Sequence, residues 1–480
     1  MKVSIVNSSK VDLGDRVDAE YFEPSYLENE NRLKKANAKP LSAYCRLTSS
    51  AFYPSATGYY ATGEMPFIRC VDCIEFPTIT SLQDDTFERL PLSFIKENKT
   101  IKVLENGDIV ITKVGSPCYA SVVYGMNKVA LSRTVLGVYK IHGIDPFYLT
   151  VYLRSRYGFE QLIRERELTI QYQLTLERVG RILIFKPVNE AFEQLIREVF
   201  IKSQELYIES TKQYKKAESM LLDELGLANW KPKHRLSFIK NFSDTESAER
   251  IDAEYYQPEY EEIVKAIESS KKHAHLGDLV TIKKCVEPGS EAYRDSGIPF
   301  MRVSNLSKFG INDDNQKFLT EELYDTLKAH QIKKGDILLS KDATPGLAFY
   351  LKDAPDKMIP SSGILRLAVK NIDEVFPEYL TLVLNSVIVQ KQIERDAGGS
   401  ILNHWLVGQV KSALIPILPV SAQKEISKKL DESFSNREQS KRLLEIAKRG
   451  VEMAIEKNEK EAQNWINAEL NKLNIILKGK

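Results

Sequence analysis

The sequence predicts a duplicated α/β protein, with two tandem mixed domains each followed by a long helix. The first observation is a repeat: Arg16-Val17-Asp18-Ala19-Glu20-Tyr21-Phe22-Glu23-Pro24-Ser25-Tyr26 returns as Arg250-Ile251-Asp252-Ala253-Glu254-Tyr255-Tyr256-Gln257-Pro258-Glu259-Tyr260. The offset, 250 − 16 = 234, is close to half of the 480 residues, and duplication at such a period governs how every shorter motif is read. The second observation is an ordered set of landmarks that both halves keep. Pro66-Phe67-Ile68-Arg69 matches Pro299-Phe300-Met301-Arg302, and Gly107-Asp108-Ile109 with Lys113 matches Gly335-Asp336-Ile337 with Lys341. Tyr148-Leu149 after Pro146 matches Tyr379-Leu380 after Pro377. The third is a helical stretch closing each half.

These landmarks set the domain boundaries at 1–188 and 250–419, with helices over 189–228 and 420–480 and a linker over 229–249. In the first helical stretch Phe192, Leu195, Ile196, Val199, Phe200, Leu206, Tyr207, Tyr214, Ala217 and Leu221 recur at steps dominated by three and four, which marks one apolar stripe. The second stretch, from about Ser421 to Leu477, repeats the pattern, and Gly450 is the point where a bend is expected. A helix of some 40 residues is roughly 60 Å long and needs a partner for its stripe. The order domain, helix, domain, helix predicts an antiparallel coiled coil of the two helices with pseudo-twofold symmetry. The alternative is that each helix folds back on its own domain.

Inside the domains, Gly107-Asp108 and Gly335-Asp336 read as tight turns feeding buried strands. Pro24 and Pro258 open short helices. Between the landmarks the halves differ most over 46–64 and 116–132 and over the matching segments of the second half, so equal frames carry unequal loops.

Hydrophobic residues at 43% and charged residues at 28% fit a globular chain with ample core. No apolar run approaches the roughly 18 residues of a membrane span, and the start of the chain lacks a secretory signal's apolar core, so a cytoplasmic location is expected. Five cysteines, an odd number, argue against a disulfide framework. A net charge of +1 means that any nucleic-acid face must be built by placing charge locally.

The search for catalytic chemistry is negative: the chain has no GxxxxGK loop, no HExxH helix and no nucleophile elbow. Asp145-Pro146-Phe147-Tyr148 reads as a helix start. Cys70-Val71-Asp72-Cys73 has the spacing of half a zinc site without a second half. Asp18 and Asp252 stand beside Arg16 and Arg250 and are read as ion-pair or capping groups, and Tyr21 and Tyr255 as anchors.

The duplicated Arg-x-Asp-Ala-Glu-Tyr opening, the Pro-Phe-x-Arg and Gly-Asp-Ile landmarks, and a long helix after each unit resemble the DNA specificity subunits of type I restriction-modification systems. The resemblance spans nearly the whole chain and lies in the arrangement, since each motif alone is short. It implies two target recognition domains that read a bipartite, asymmetric DNA target, and helices that separate them and bind methyltransferase subunits. It implies a chain that is not itself an enzyme. S-adenosylmethionine, ATP and magnesium are expected on the partners, which are two adenine methyltransferase subunits and the restriction/translocase subunits.

Candidate DNA-binding residues follow from donor chemistry at or beside the variable segments. In the first domain they are Arg69, Lys113, Ser116, Arg133, Gln171 and Tyr172. In the second they are Arg302, Asn305, Lys341, Thr344, Ser361, Asn403 and His404. A DNA-targeting subunit of another phage-defence or modification assembly, and a coiled-coil scaffold that binds only protein, are the alternative readings.

Overall fold

A computed structural model describes residues 16–477 except 61–62, 75, 82–85, 116–117, 168–171, 314 and 398–403. The chain divides into two compact units: one runs to Ile208 and takes in Asn436 onward, and the other is Glu209–Ser435. Each unit therefore contains one mixed domain and a part of each long helix.

The first unit holds a sheet in the order Arg46–Ser49, Val135–Tyr139, Ile109–Thr112, Ala120–Val123, Thr78–Ile79. A second sheet runs Glu88–Leu90, Met65–Ile68, Lys128–Leu131, Val103–Glu105, with Met65–Ile68 parallel to Lys128–Leu131. The other unit repeats the plan. Its main sheet is Val280–Lys284, Ile364–Val369, Ile337–Ser340, Ala348–Tyr350. Beside it, Ile298–Met301 pairs antiparallel with Lys317–Leu319 and parallel with Ile359–Pro360. The Pro-Phe-x-Arg and Gly-Asp-Ile landmarks thus lead into or lie on equivalent strands.

The turns show why those landmarks persist. Gly107 and Gly335 adopt φ of 91° and 90°, a conformation that L side chains rarely reach. The next residue then closes each turn with its carboxylate. Asp108 accepts from the Glu105 N–H at 2.9 Å, and Asp336 from the Lys333 N–H at 2.8 Å. The strands that follow, Ile109–Thr112 and Ile337–Ser340, are buried throughout.

Each domain ends on a helix pair packed against a short edge strand that leads into the long helix. Asp145 caps Pro146–Arg154 by accepting from the N–H groups of Phe147 and Tyr148, so this motif is a helix start as expected. Tyr148 donates to the Phe185 carbonyl at 2.9 Å and Tyr379 to the Pro416 carbonyl at 2.8 Å. Two glutamines act as substitutes for another strand. Gln161 accepts from the Leu183 N–H at 2.7 Å and donates to its carbonyl at 2.9 Å, and Gln392 does the same for Leu414 at 2.8 and 2.9 Å. Gln392→Leu would leave both backbone groups without those bonds, and a loss of roughly 2 kcal/mol is expected in urea denaturation. A change below about 0.5 kcal/mol would mean that solvent serves these groups.

The long helices are Glu190–Glu224 and Val420–Glu456. In the first unit they pair antiparallel, with the Ser203 hydroxyl donating to the Ser440 carbonyl at 2.9 Å and the Arg437 guanidinium over the Tyr207 ring. In the second unit the Ser433 hydroxyl donates to the Ser210 carbonyl at 2.7 Å. The apolar stripe gives way at these places to small buried hydroxyls, which let the backbones approach. The first helix ends at Gly226, whose φ of 69° turns the chain so that the Leu227 N–H bonds the Leu222 carbonyl.

The second stretch departs from the expected single helix. It is interrupted after Glu456, and Asn458 caps a separate helix, Glu459–Lys472, by accepting from the Glu461 N–H. The helix is not interrupted at Gly450. This residue lies inside Val420–Glu456, where an added Cβ would meet Ile466 Cδ1 at 2.5 Å and Ile196 Cδ1 at 3.3 Å, so the glycine permits close packing of the following helix. No helix among the described residues is long and apolar enough to cross a membrane.

Candidate nucleic-acid interface

In each domain the loops that follow the strands converge on one frame of main-chain hydrogen bonds. In the first, Ser132 N–H donates to Ile68, Lys113 N–H to Thr134, and Leu174 N–H to Lys113, at 2.9, 2.8 and 3.0 Å. In the second, Ser361 N–H donates to Met301, Lys341 N–H to Gly363, and Trp405 N–H to Lys341, at 2.8, 2.9 and 2.8 Å. Isolated bridges join Val114 to Gln173 and Asp342 to His404 at matching places. A side-chain cap completes both frames. The Arg69 N–H donates to the Asp72 carboxylate at 2.7 Å, and the Arg302 N–H to the Asn305 amide oxygen at 3.1 Å. Segments distant in sequence are thereby held together, so that different side chains can be displayed from one scaffold.

In the first domain the frame separates the expected residues. Arg69 ion-pairs with Glu88 at 3.2 Å and lies 3.6 Å from the carboxylate of Asp72. The Asp72 carboxyl is itself pushed up by burial. Lys113 uses its backbone N–H and carbonyl in the frame. Tyr172 is exposed and lies under the Arg166 guanidinium, 4.1 Å from its ring centroid. Arg133 is exposed, and its guanidinium carbon sits 5.0 Å from the Tyr53 ring centroid and 5.9 Å from that of Phe52. Ser116 and Gln171 lie outside the described residues.

In the second domain two of the expected residues are buried. Asn305 is 0% exposed and its amide oxygen caps the turn, as Asp72 does in the other domain. Ser361 is 5% exposed, with its N–H on Met301 and its carbonyl accepting from Ile364. Both are buried and take part in the frame through these bonds. Arg302 is half-buried and donates to the Asn315 carbonyl at 2.5 Å.

Lys341 and His404 come together on Asp342, at 2.5 and 2.8 Å. Burial alone would raise the Asp342 carboxyl, but the hydrogen bonds from His404 and Lys341 outweigh it and hold the group below the usual carboxylate range. Thr344 is exposed on the same loop. Asn403 lies outside the described residues.

The sequence reading passed over Phe52, although it lies in a stretch where the halves differ strongly. It also passed over Asp342, whose role depends on His404 arriving from 62 positions away. No group of three or more metal-binding side chains occurs among the described residues. Burial pushes the thiols of Cys45 and Cys118 up to about 12 and that of Cys73 higher still, so they stay protonated.

No curated protein matches the chain. Among solved structures, the S subunit of a type I restriction-modification system from M. genitalium is 11% identical, covering 87% of this chain and 94% of that one, with a TM-score of 0.41. The HsdS subunit from Thermoanaerobacter tengcongensis is 15% identical, covering 88% and 96%, with a TM-score of 0.28. The type IIG restriction endonuclease BpuSI is 12% identical over 37% of this chain and 28% of that one, with a TM-score of 0.30. Residues 269–448 match the model of the type I restriction modification DNA specificity domain. Those residues hold most of the second domain and much of the second long helix, and it is this part of the chain that is similar to the type I restriction modification DNA specificity domain.

Proposed function

We propose that the two domains read the two unlike halves of a bipartite, asymmetric DNA target, and that the chain thereby directs methylation and restriction by partner subunits. The observation that carries this reading is the repeated loop frame with unlike side chains. Positions that build the frame, Lys113 and Lys341 among them, are shared, whereas Val114 and Gln173 in the first domain stand where Asp342 and His404 stand in the second, and Arg133 stands where the second has Ser362. A protein with two such faces is suited to two different base sequences.

The partners in this reading are adenine methyltransferase subunits, two per complex, and restriction/translocase subunits in the cytoplasm. They would supply S-adenosylmethionine, ATP and magnesium. The target adenine would leave the base stack for the methyltransferase's active site.

The test is base-resolution mapping of methylated DNA from cells that express the chain with its partner methyltransferase. A gapped, asymmetric motif that vanishes when the chain is deleted is expected. Methylation indifferent to the deletion would overturn the reading.

Asp342 offers a second prediction. Asp342→Ala removes the carboxylate that occupies Lys341 and His404. Freed for phosphate, Lys341 should strengthen sequence-independent binding and steepen the slope of log K against log salt by about one. An unchanged slope in fluorescence anisotropy titrations would place Lys341 away from the duplex.

A further inference from the structure

We infer that Arg133, backed by Phe52 and Tyr53, is a base-reading element of the first domain and that it selects a guanine in the half-site this domain contacts. The inference rests on the DNA-recognition reading and adds to it the residue and the base.

Three arginines were candidates at the two frames, and their surroundings differ. Arg69 is engaged by Glu88 and Asp72, and Arg302 by the Asn315 carbonyl. Arg133 makes no side-chain hydrogen bond or ion pair with the described residues, while aromatic rings lie beneath its guanidinium carbon. Contact with a ring face covers the flat side of a guanidinium and leaves its N–H edge free, so the fork is positioned without being consumed. Two parallel donors fit the N7 and O6 acceptors of guanine, the commonest specific arginine contact in the major groove.

The support under Arg133 is built into the fold. Phe52 is 76% exposed, yet its backbone is fixed: its carbonyl accepts from the Thr100 hydroxyl at 2.8 Å, and the neighbouring Ala51 N–H donates to the Thr100 carbonyl at 3.2 Å. Tyr53 is buried, and its hydroxyl accepts from the Arg133 N–H at 3.2 Å. An aromatic side chain held outward in this way has an apolar face for a thymine methyl or a sugar beside the guanine. In the second domain the matched frame residues are Ser361 and Gly363, so Ser362 stands where Arg133 stands in the first. The device therefore belongs to one half-site.

The experiment compares wild type, Arg133→Ala, Arg133→Lys and Phe52→Ala, each expressed with the partner methyltransferase, by methylation mapping and by thermal unfolding of the purified chain. Arg133→Ala is expected to relax one guanine position in one half of the motif by about tenfold or more while the other half is kept. Arg133→Lys should relax the same position, since an ammonium lacks the paired donors. Phe52→Ala should weaken the same half by a smaller factor. Full discrimination at every position in the arginine variants would overturn the proposal. So would loss of both halves together with a lowered melting temperature, which would make Arg133 a structural residue. A wild-type chain that yields no gapped motif would instead overturn the recognition reading on which the proposal stands.

Discussion

Trp405→Ala is expected to lower the stability of the second unit by about 3 to 5 kcal/mol, the range for removing a large buried aromatic. Trp405 is 0% exposed within the core that also contains Ile337, Leu339 and Leu365. Its N–H donates to the Lys341 carbonyl and thereby draws His404 alongside Asp342. The first domain places the smaller Leu174 at the same point, with the same bond to Lys113. The indole Nε1 has no acceptor among the described residues, so Trp405→Phe removes volume without breaking a hydrogen bond and should cost less than about 2 kcal/mol. Chemical denaturation of the three proteins tests this. A phenylalanine variant as unstable as the alanine variant would show that the indole N–H is bonded after all. An alanine variant within about 1 kcal/mol of wild type would show that the site collapses around the gap.

The repeated residues were legible because repetition in this chain marks the scaffold. Gly107 and Gly335 recur for their positive φ, Asp108 and Asp336 for the turn they close, and Lys113 and Lys341 for main-chain bonds that any residue but proline could supply through its N–H. Conversely, a side chain held the same way in two domains cannot distinguish two half-sites. Arg69 and Arg302, prominent as landmarks, have donors engaged by their own domains.

Side chains at positions that do not match are better placed for recognition, and sequence spacing alone cannot sort them. Whether Arg133 faces an aromatic pair 80 residues upstream depends on the fold. The helical stripes were legible from their period, whereas Ser203, Ser210, Ser433 and Ser440 were not, since a buried serine carries no hydrophobic signal. The Gln161 and Gln392 bonds were equally silent, because each acts on a strand 22 positions away.

Arg366→Met tests how far the two domains have diverged inside a common frame. Arg366 is 3% exposed and donates from Nε to the Asp336 carboxylate at 2.8 Å. It stands opposite Leu338 on the neighbouring strand. Gly137 holds the equivalent place opposite Val110 in the first domain. There an added Cβ would meet Leu104 Cδ2 at 2.9 Å, so an apolar side chain fills the space beside Gly137. Burial pushes the Asp108 carboxyl up. In the second domain the methionine would leave the Asp336 carboxylate buried with, among the described residues, the Lys333 N–H as its hydrogen-bond donor. Removing one partner of a buried pair costs about 3 to 5 kcal/mol, because the uncompensated charge remains. The double variant Asp336→Asn, Arg366→Met removes that charge while keeping an acceptor for Lys333, and should recover much of the loss, giving a favourable coupling in a double-mutant cycle. Additive single effects would mean that the two side chains act independently and that Arg366 contributes by packing alone.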